Sequence, residues 1–281
     1  MWFLLSVIGA HALAFVVIQI LPDPAMVALG IDSTKNSARE SFERANKPRT
    51  YLQTLADLGH ADFGTTLDGV SVAEEIGRAL LASIPRFLVA ALLVVFVVFA
   101  ISIAPEPTLR PVRYLSSLLS FFPPFLIAFV GLGLLVSTDA TFVFAAKWGG
   151  WLLSAICLAV PSAALLGAQA ADVTDRNLRR PFATTVRAMG ASRFQQRLRL
   201  SRNLVMELTP TFEKLVTGLL TTALFVEPIF GQAGLGTTTL QAIRRTDTNL
   251  LLALVLLFAL AVNVARLLSN LVRSSYGLQT Q

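Results

Sequence analysis

Residues 87–104 run for eighteen positions with one polar side chain, Ser102. A helix of that composition has no wet face, and at 1.5 Å per residue it covers about 27 Å of a hydrocarbon core roughly 30 Å thick. Residues 250–265 repeat the pattern, broken only by Asn263. Four further stretches are long and apolar enough to count as spans: residues 2–21, 114–136, 149–170 and 204–230. The first carries Ser6, His11 and Gln19 and stops at Pro22-Asp23-Pro24. Its apolar part is longer than a signal-peptide core and no Lys or Arg precedes it, so it reads as a retained helix. Pro123-Pro124, Pro161 and Pro210 fall in the other three, where each frees a backbone carbonyl that neighbouring helices must satisfy. A kink or break is expected at Pro123-Pro124. Only 14% of residues are charged, against about a quarter in soluble domains, and mean hydropathy is +0.67. A disordered chain, a collagen and a disulfide scaffold are excluded, and the composition argues against a water-soluble enzyme. The fold expected is an all-α polytopic membrane protein with six transmembrane helices.

The net charge of +6 points to nucleic acid only if it is spread over a water-facing domain, and it is not. Residues 171–203 hold eight arginines against Asp172 and Asp175, an excess equal to that of the whole chain. Arginines in short loops face the cytoplasm. With six spans, Arg110 and Arg113 between spans two and three fall on that same side, and both termini are cytoplasmic. The 22–83 segment has six basic residues against nine acids and falls outside. The expected organisation is therefore transmembrane helix 1 at 1–21, an extracytoplasmic cap at 22–83, and a five-helix core at 84–281 with a cytoplasmic loop at 171–203.

That loop is longer than topology requires. Pro181, at an N1-type position, followed by helix formers up to Gly190, predicts a short helix stopped by a C-terminal glycine. A glycine after a small residue also lets another backbone come close, which contact with lipid does not need. Charge alone is equally accounted for by topology and anionic lipid.

The run Phe182-Ala183-Thr184-Thr185-Val186-Arg187-Ala188-Met189-Gly190 resembles the cytoplasmic coupling motif of membrane permeases of ABC importers. The resemblance is closest to the dipeptide, oligopeptide and nickel branch. Phe182, Thr185, Arg187, Ala188 and Gly190 keep its character, whereas Thr184 and Met189 replace two positive positions. Arg202-Asn203 and Pro210 resemble its continuation into span five. Phe63-Gly64-Thr65-Thr66 with Val72, Ile76 and Ser83-Ile84-Pro85 resembles the lead into span two. Glu227-Pro228-Ile229-Phe230, Gly234-Leu235-Gly236, Ala242-Ile243 and Asp247 resemble the loop between spans five and six. The chain departs from the branch at Arg266 and at its Arg273-Ser274-Ser275-Tyr276 ending.

The resemblance implies a type I ABC importer permease fold and a place in a bacterial inner membrane. It implies a second related permease, two cytoplasmic ATPases carrying ATP and Mg, and an extracytoplasmic substrate-binding protein. Arg187, Ala188, Met189, Gly190, Ala191 and Ser192 are the implied ATPase-coupling residues. The implied cargo is a peptide, with nickel or another metal chelate or small solute as the alternative. No cofactor is expected in this chain. The segment Gly231-Gln232-Ala233-Gly234-Leu235-Gly236-Thr237 has P-loop spacing, but Thr237 stands where a phosphate-binding lysine is needed, so it reads as a tight turn.

Polar groups inside spans are costly and usually face a cavity or a partner. Glu213, Thr217 and Thr221 share an i, i+4 stripe, with Lys214, Gly218 and Thr222 beside it. Asn263 and Arg266 in span six are placed to meet them, and this face is the candidate pathway lining. Against that stands the plain reading that Lys214 snorkels to the inner surface. His11 reads as a satisfied packing histidine, His60 as a loop residue. With one Cys and two distant His, no metal site and no catalytic residue are expected. A channel or secondary transporter would use the same stripe without an ATPase. The inverted repeats common in such folds are not seen. An intramembrane enzyme lacks both a nucleophile motif and paired aspartates.

Overall fold

Backbone in hydrocarbon must bond to itself, and the long apolar runs are accordingly helical. A computed structural model of the chain describes residues 2–18, 20, 51, 53, 56, 62–137, 150–190, 192, 195 and 207–275. The helices are α1 (Trp2–Ile18), α2 (Val72–Ile103), α3 (Glu106–Ser120), α4 (Pro124–Ser137), α5 (Gly150–Arg179), α6 (Pro181–Ala188), α7 (Phe212–Ile229), α8 (Leu235–Arg245) and α9 (Thr248–Ser275). Among the described residues, α2, α5 and α9 are each long and apolar enough to cross a membrane. The stretch expected as span three is two helices bent by 99°. Phe121 and Phe122 close α3 by donating to Leu118 and Leu119, and Leu126 opens α4 by donating to the Pro123 carbonyl at 3.0 Å. Pro123-Pro124 thus gives a full corner where the sequence predicts a kink or break. Most of the 22–83 segment and His60 lie outside the described residues.

The chain forms two compact units, Met1–Ser83 with Ala233–Asn263, and Ile84–Gln232 with Val264–Gln281. In the first, Gly64 and Gly69, at φ 78° and 77°, shape a tight loop in which Thr66 donates to the Val70 carbonyl at 2.8 Å. Asp247 locks this loop to the start of α9. One carboxylate oxygen accepts the Leu67 N–H at 2.9 Å, and the other accepts the Leu250 N–H at 3.1 Å as an N-cap. Asn249 donates to the Thr65 carbonyl at 2.9 Å, and Arg245 pairs with Asp68. Ser83 accepts the Leu235 N–H at 2.8 Å, satisfying one orphan donor of α8.

In the second unit α5 is the central helix. It packs on α3, α4 and α7, around a core of Ala90, Val94, Ala128, Leu158, Leu166, Leu219 and Val226. Lipid is as apolar as leucine, so helices in a bilayer gain by close packing of small residues. A Cβ on Gly131 of α4 would lie 2.5 Å from Cys157 Sγ, and one on Gly218 of α7 would lie 2.7 Å from Ser162 Oγ. The outward side of α2 carries Leu81, Leu88, Leu92, Val95 and Phe99, all exposed, a stripe that only lipid or another apolar surface can cover.

Two outcomes follow. Gly131→Val drives a branched side chain into Cys157 and lowers the stability of the purified protein in detergent by about 1–3 kcal/mol, the usual cost of overpacking. Asp247→Ala removes the α9 cap and the Leu67 bond and costs about 1–2 kcal/mol by the same measurement. Burial pushes the Asp247 carboxyl above its ordinary value of 3.8, against the downward pull of the Leu67 and Leu250 N–H groups. The native state therefore holds that proton to a higher pH than the unfolded chain does. This proton-linked increment is complete below the ordinary aspartate value and is lost as pH rises through the raised one. The stability of wild type relative to Asp247→Asn should fall across that window.

Candidate functional site

The last turns of α5 carry Arg176 and Arg179, so the helix continues past the expected end of span four at residue 170. Arg180 follows, and the chain turns at once into α6, whose Pro181 supplies a fixed φ and lacks the N–H that a first-turn residue would leave unbonded. Glu207 ties this corner to the start of the next helix. Its carboxylate lies 3.0 Å from Arg180 and 3.8 Å from Arg176. Val186 is 2% exposed and anchors α6, while Thr185, Ala188, Met189 and Gly190 all face outward. Met189 is 72% exposed.

The glycine stop forms at the expected place. Gly190 has φ 80°, a conformation L side chains rarely adopt, and a Cβ there would meet nothing within 4 Å. Two residues later Ser192 and Gln195 bond reciprocally in the pattern of a capping box. Ser192 Oγ accepts the Gln195 N–H at 3.2 Å, and Gln195 Oε1 accepts the Ser192 N–H at 3.1 Å. The described part of the hairpin is thus a helix, a left-handed glycine and the Ser192–Gln195 pair, with Met189, Gly190 and Ser192 exposed. Arg187 lies on α6, and Ala191 is outside the described residues.

On α7 the expected stripe separates into two faces. Glu213 meets Arg266 of α9 through two bonds, Nε to Oε2 at 3.0 Å and Nη2 to Oε1 at 2.5 Å. Thr217, whose hydroxyl donates to the Glu213 carbonyl at 2.9 Å, and Thr221 are exposed on this face. The neighbouring Gly218 and Thr222 turn inward: Thr222 is 1% exposed, and Gly218 lies against Ser162 of α5. The missing side chain at 218 lets α5 approach, and of the second stripe Thr222 is buried while Lys214 stays exposed. Asn263 bonds within its own unit, donating to the Ala259 carbonyl at 2.8 Å and to Ser6 Oγ at 3.4 Å. His11 differs from its expected role. It is 3% exposed and lies 5.8 Å from the Tyr51 ring, and its Nδ1 finds no hydrogen-bond partner among the described residues.

The second unit also holds a cavity of about 680 Å³. Val98, Phe99, Leu166, Leu215 and Val272 line it, with the hydroxyls of Ser102 and Ser269 as polar points. Such a lining accommodates an apolar chain and rejects charge.

A buried polar knot went unread in the sequence. The Arg86 and Glu227 side chains, 3% and 0% exposed, pair at 3.1 Å. Arg86 also donates to Gln232 Oε1, which accepts the Ser154 hydroxyl at 2.8 Å. A single arginine immediately before the long apolar run, and a glutamate near the end of another, were the available signals. Nothing local paired them.

The family model described as binding-protein-dependent transport system inner membrane component matches residues 79–275, a stretch that contains the α6 hairpin, the Glu213–Arg266 pair and the buried knot. The oligopeptide transport system permease protein OppB of Mycobacterium bovis is 27% identical over 252 residues, covering 79% of this chain and 77% of that protein. OppB proteins of two strains of Mycobacterium tuberculosis are similar to the same extent, 27% over 252 residues. The matched stretch takes in the 182–190 motif and the 227–247 segment on which the resemblance rests: this chain belongs to the binding-protein-dependent transport system inner membrane components, multi-pass permease subunits that do no catalysis of their own.

Proposed function

We propose that this chain is the membrane-spanning permease of an ATP-driven peptide importer and forms half of its translocation pathway. The observation that carries this reading is the outward-facing α6 hairpin, a rigid helix ended by a left-handed glycine. It projects from an arginine-rich corner that topology alone does not require. Two cytoplasmic ATPases, binding ATP and Mg, would grip Arg187 to Ser192. Their closure would tilt the spans between inward- and outward-open states. The similarity to OppB supports peptide as cargo. A second related permease would complete the pathway, and the 22–83 cap would face a substrate-binding protein outside.

Six spans with both termini cytoplasmic complete the proposal. In that arrangement α1, the bent α3–α4 pair and α7 count as spans along with α2, α5 and α9. The charge of residues 171–203 supports this orientation. The exposed Glu213, Thr217 and Thr221 face, with Arg266, is the proposed pathway lining.

Gly190→Leu should strain the left-handed stop locally, by about 1–2 kcal/mol, and leave the complex assembled, because the spans are untouched. Substrate-stimulated ATP hydrolysis should fall about tenfold or more, within the usual range of coupling between sites. Normal stimulation in a well-folded Gly190→Leu complex would overturn the coupling role. For the lining, Arg266→Ala should cut peptide uptake into vesicles, and the exchanged pair Glu213→Arg with Arg266→Glu should restore most of it. Unchanged uptake in Arg266→Ala removes this face from the pathway.

A further inference from the structure

The Arg86, Glu227, Gln232 and Ser154 knot is built from three places in the second unit. Near the end of α7, Phe230 donates to the Val226 carbonyl at 3.0 Å. Gly231 then turns left-handed at φ 62°, and Gln232 donates its backbone N–H to the Glu227 carbonyl at 2.8 Å. That stop brings the Gln232 amide to the same guanidinium that Glu227 holds. Arg86 comes from α2, beside Pro85, and Ser154 from the first turns of α5. One polar cluster thus fastens α2, α5 and the end of α7 together.

Stability does not account for this arrangement. An apolar set of the same volume would hold the three helices as well or better, because a buried ion pair recovers only part of its desolvation cost. Buried charges inside a bilayer are retained where they face a change of environment or of partner. In the proposed orientation, Arg86 stands midway along α2 at the outer start of its 87–104 apolar run, Ser154 follows the start of α5 and Glu227 lies near the close of α7, so all three lie toward the outer side of their spans. The coupling hairpin leaves α5 at the opposite end.

We propose that Arg86 and Glu227 are positioning residues of the transport cycle. Their ion pair, braced by Gln232 and Ser154, is the latch that keeps the outer gate closed and parts when the pathway opens outward. This inference rests on the proposed importer role and orientation. A packed core deforms between discrete arrangements, and a desolvated ion pair is an element that is either made or broken.

The chain carries its own reporter. Cys157, its single cysteine, lies one turn from Ser154 on α5 and is 3% exposed. The test uses the assembled complex in right-side-out membrane vesicles and a membrane-impermeant maleimide added outside. Wild type should label slowly. Glu227→Gln should label about tenfold faster, as when an open state rises from about 1% to about 10% of the population. Exchanging the charges, Arg86→Glu with Glu227→Arg, should restore slow labelling. Wild-type labelling of Glu227→Gln overturns the latch. So does equal acceleration by reagent trapped inside the vesicles, which would report loosening without direction. Should Glu227→Gln fail to reach the membrane, Ser154→Ala decides, since it removes a hydroxyl shared between Gln232 Oε1 and the Trp151 carbonyl and no charge: faster labelling from outside supports the latch, and the wild-type rate overturns it. Co-purification with ATPase subunits and substrate-stimulated hydrolysis by the unmutated complex test the importer role separately. If both are intact while Cys157 stays protected in every variant, only the latch fails.

Discussion

In hydrocarbon no water is available to satisfy backbone groups and no hydrophobic force draws one helix to another, so this structure depends on how closely its helices can approach. Helix α5 carries most of that burden. Ser154, Ala155, Ala159, Ser162, Ala164, Gly167 and Ala170 line its buried side. Small residues from facing helices meet them, with Gly131 against Cys157 and Gly218 against Ser162. The same closeness decides which part of α7 remains available for polar work. With Gly218 pressed against α5, Thr222 is buried, while half-buried Glu213 and exposed Lys214, Thr217 and Thr221 remain accessible.

Charge is distributed in two distinct regimes. At the α5–α6 corner Arg176, Arg179 and Arg180 are well exposed and pair loosely with Asp175 and Glu207. Pairs of this kind contribute little to stability. In the proposed topology they would set the orientation of the chain in the bilayer. Arg86 and Glu227, by contrast, are almost wholly removed from solvent. There a change of partner has large energetic consequences, because little solvent is present to absorb it.

The apolar runs at 87–104 and 250–265 were legible because a helix without a wet face has few alternatives. The α6 helix and its stop at Gly190 were legible because proline and glycine have strong local preferences. The 99° corner at Pro123 was foreseen as a break, but its angle depends on what α3 and α4 pack against. Pairings distant in sequence were less accessible. Arg266 was expected to meet the Glu213 stripe because polar groups inside two spans seek each other, whereas Arg86 and Glu227 stand at the ends of their apolar runs, where a charge needs no partner to be explained. His11 was read as satisfied because most buried histidines are. Its environment is the face of an aromatic ring, which offers no acceptor lone pair to a ring nitrogen.

The clasp at Asp247 has a mechanical meaning. Its two carboxylate oxygens bond to backbone amides on different segments, the Leu67 loop and the first turn of α9. A push on that loop therefore reaches the helix as torque on a stiff crank and is not absorbed as slack in a tether. Whatever rests on that loop acts on a lever already in gear.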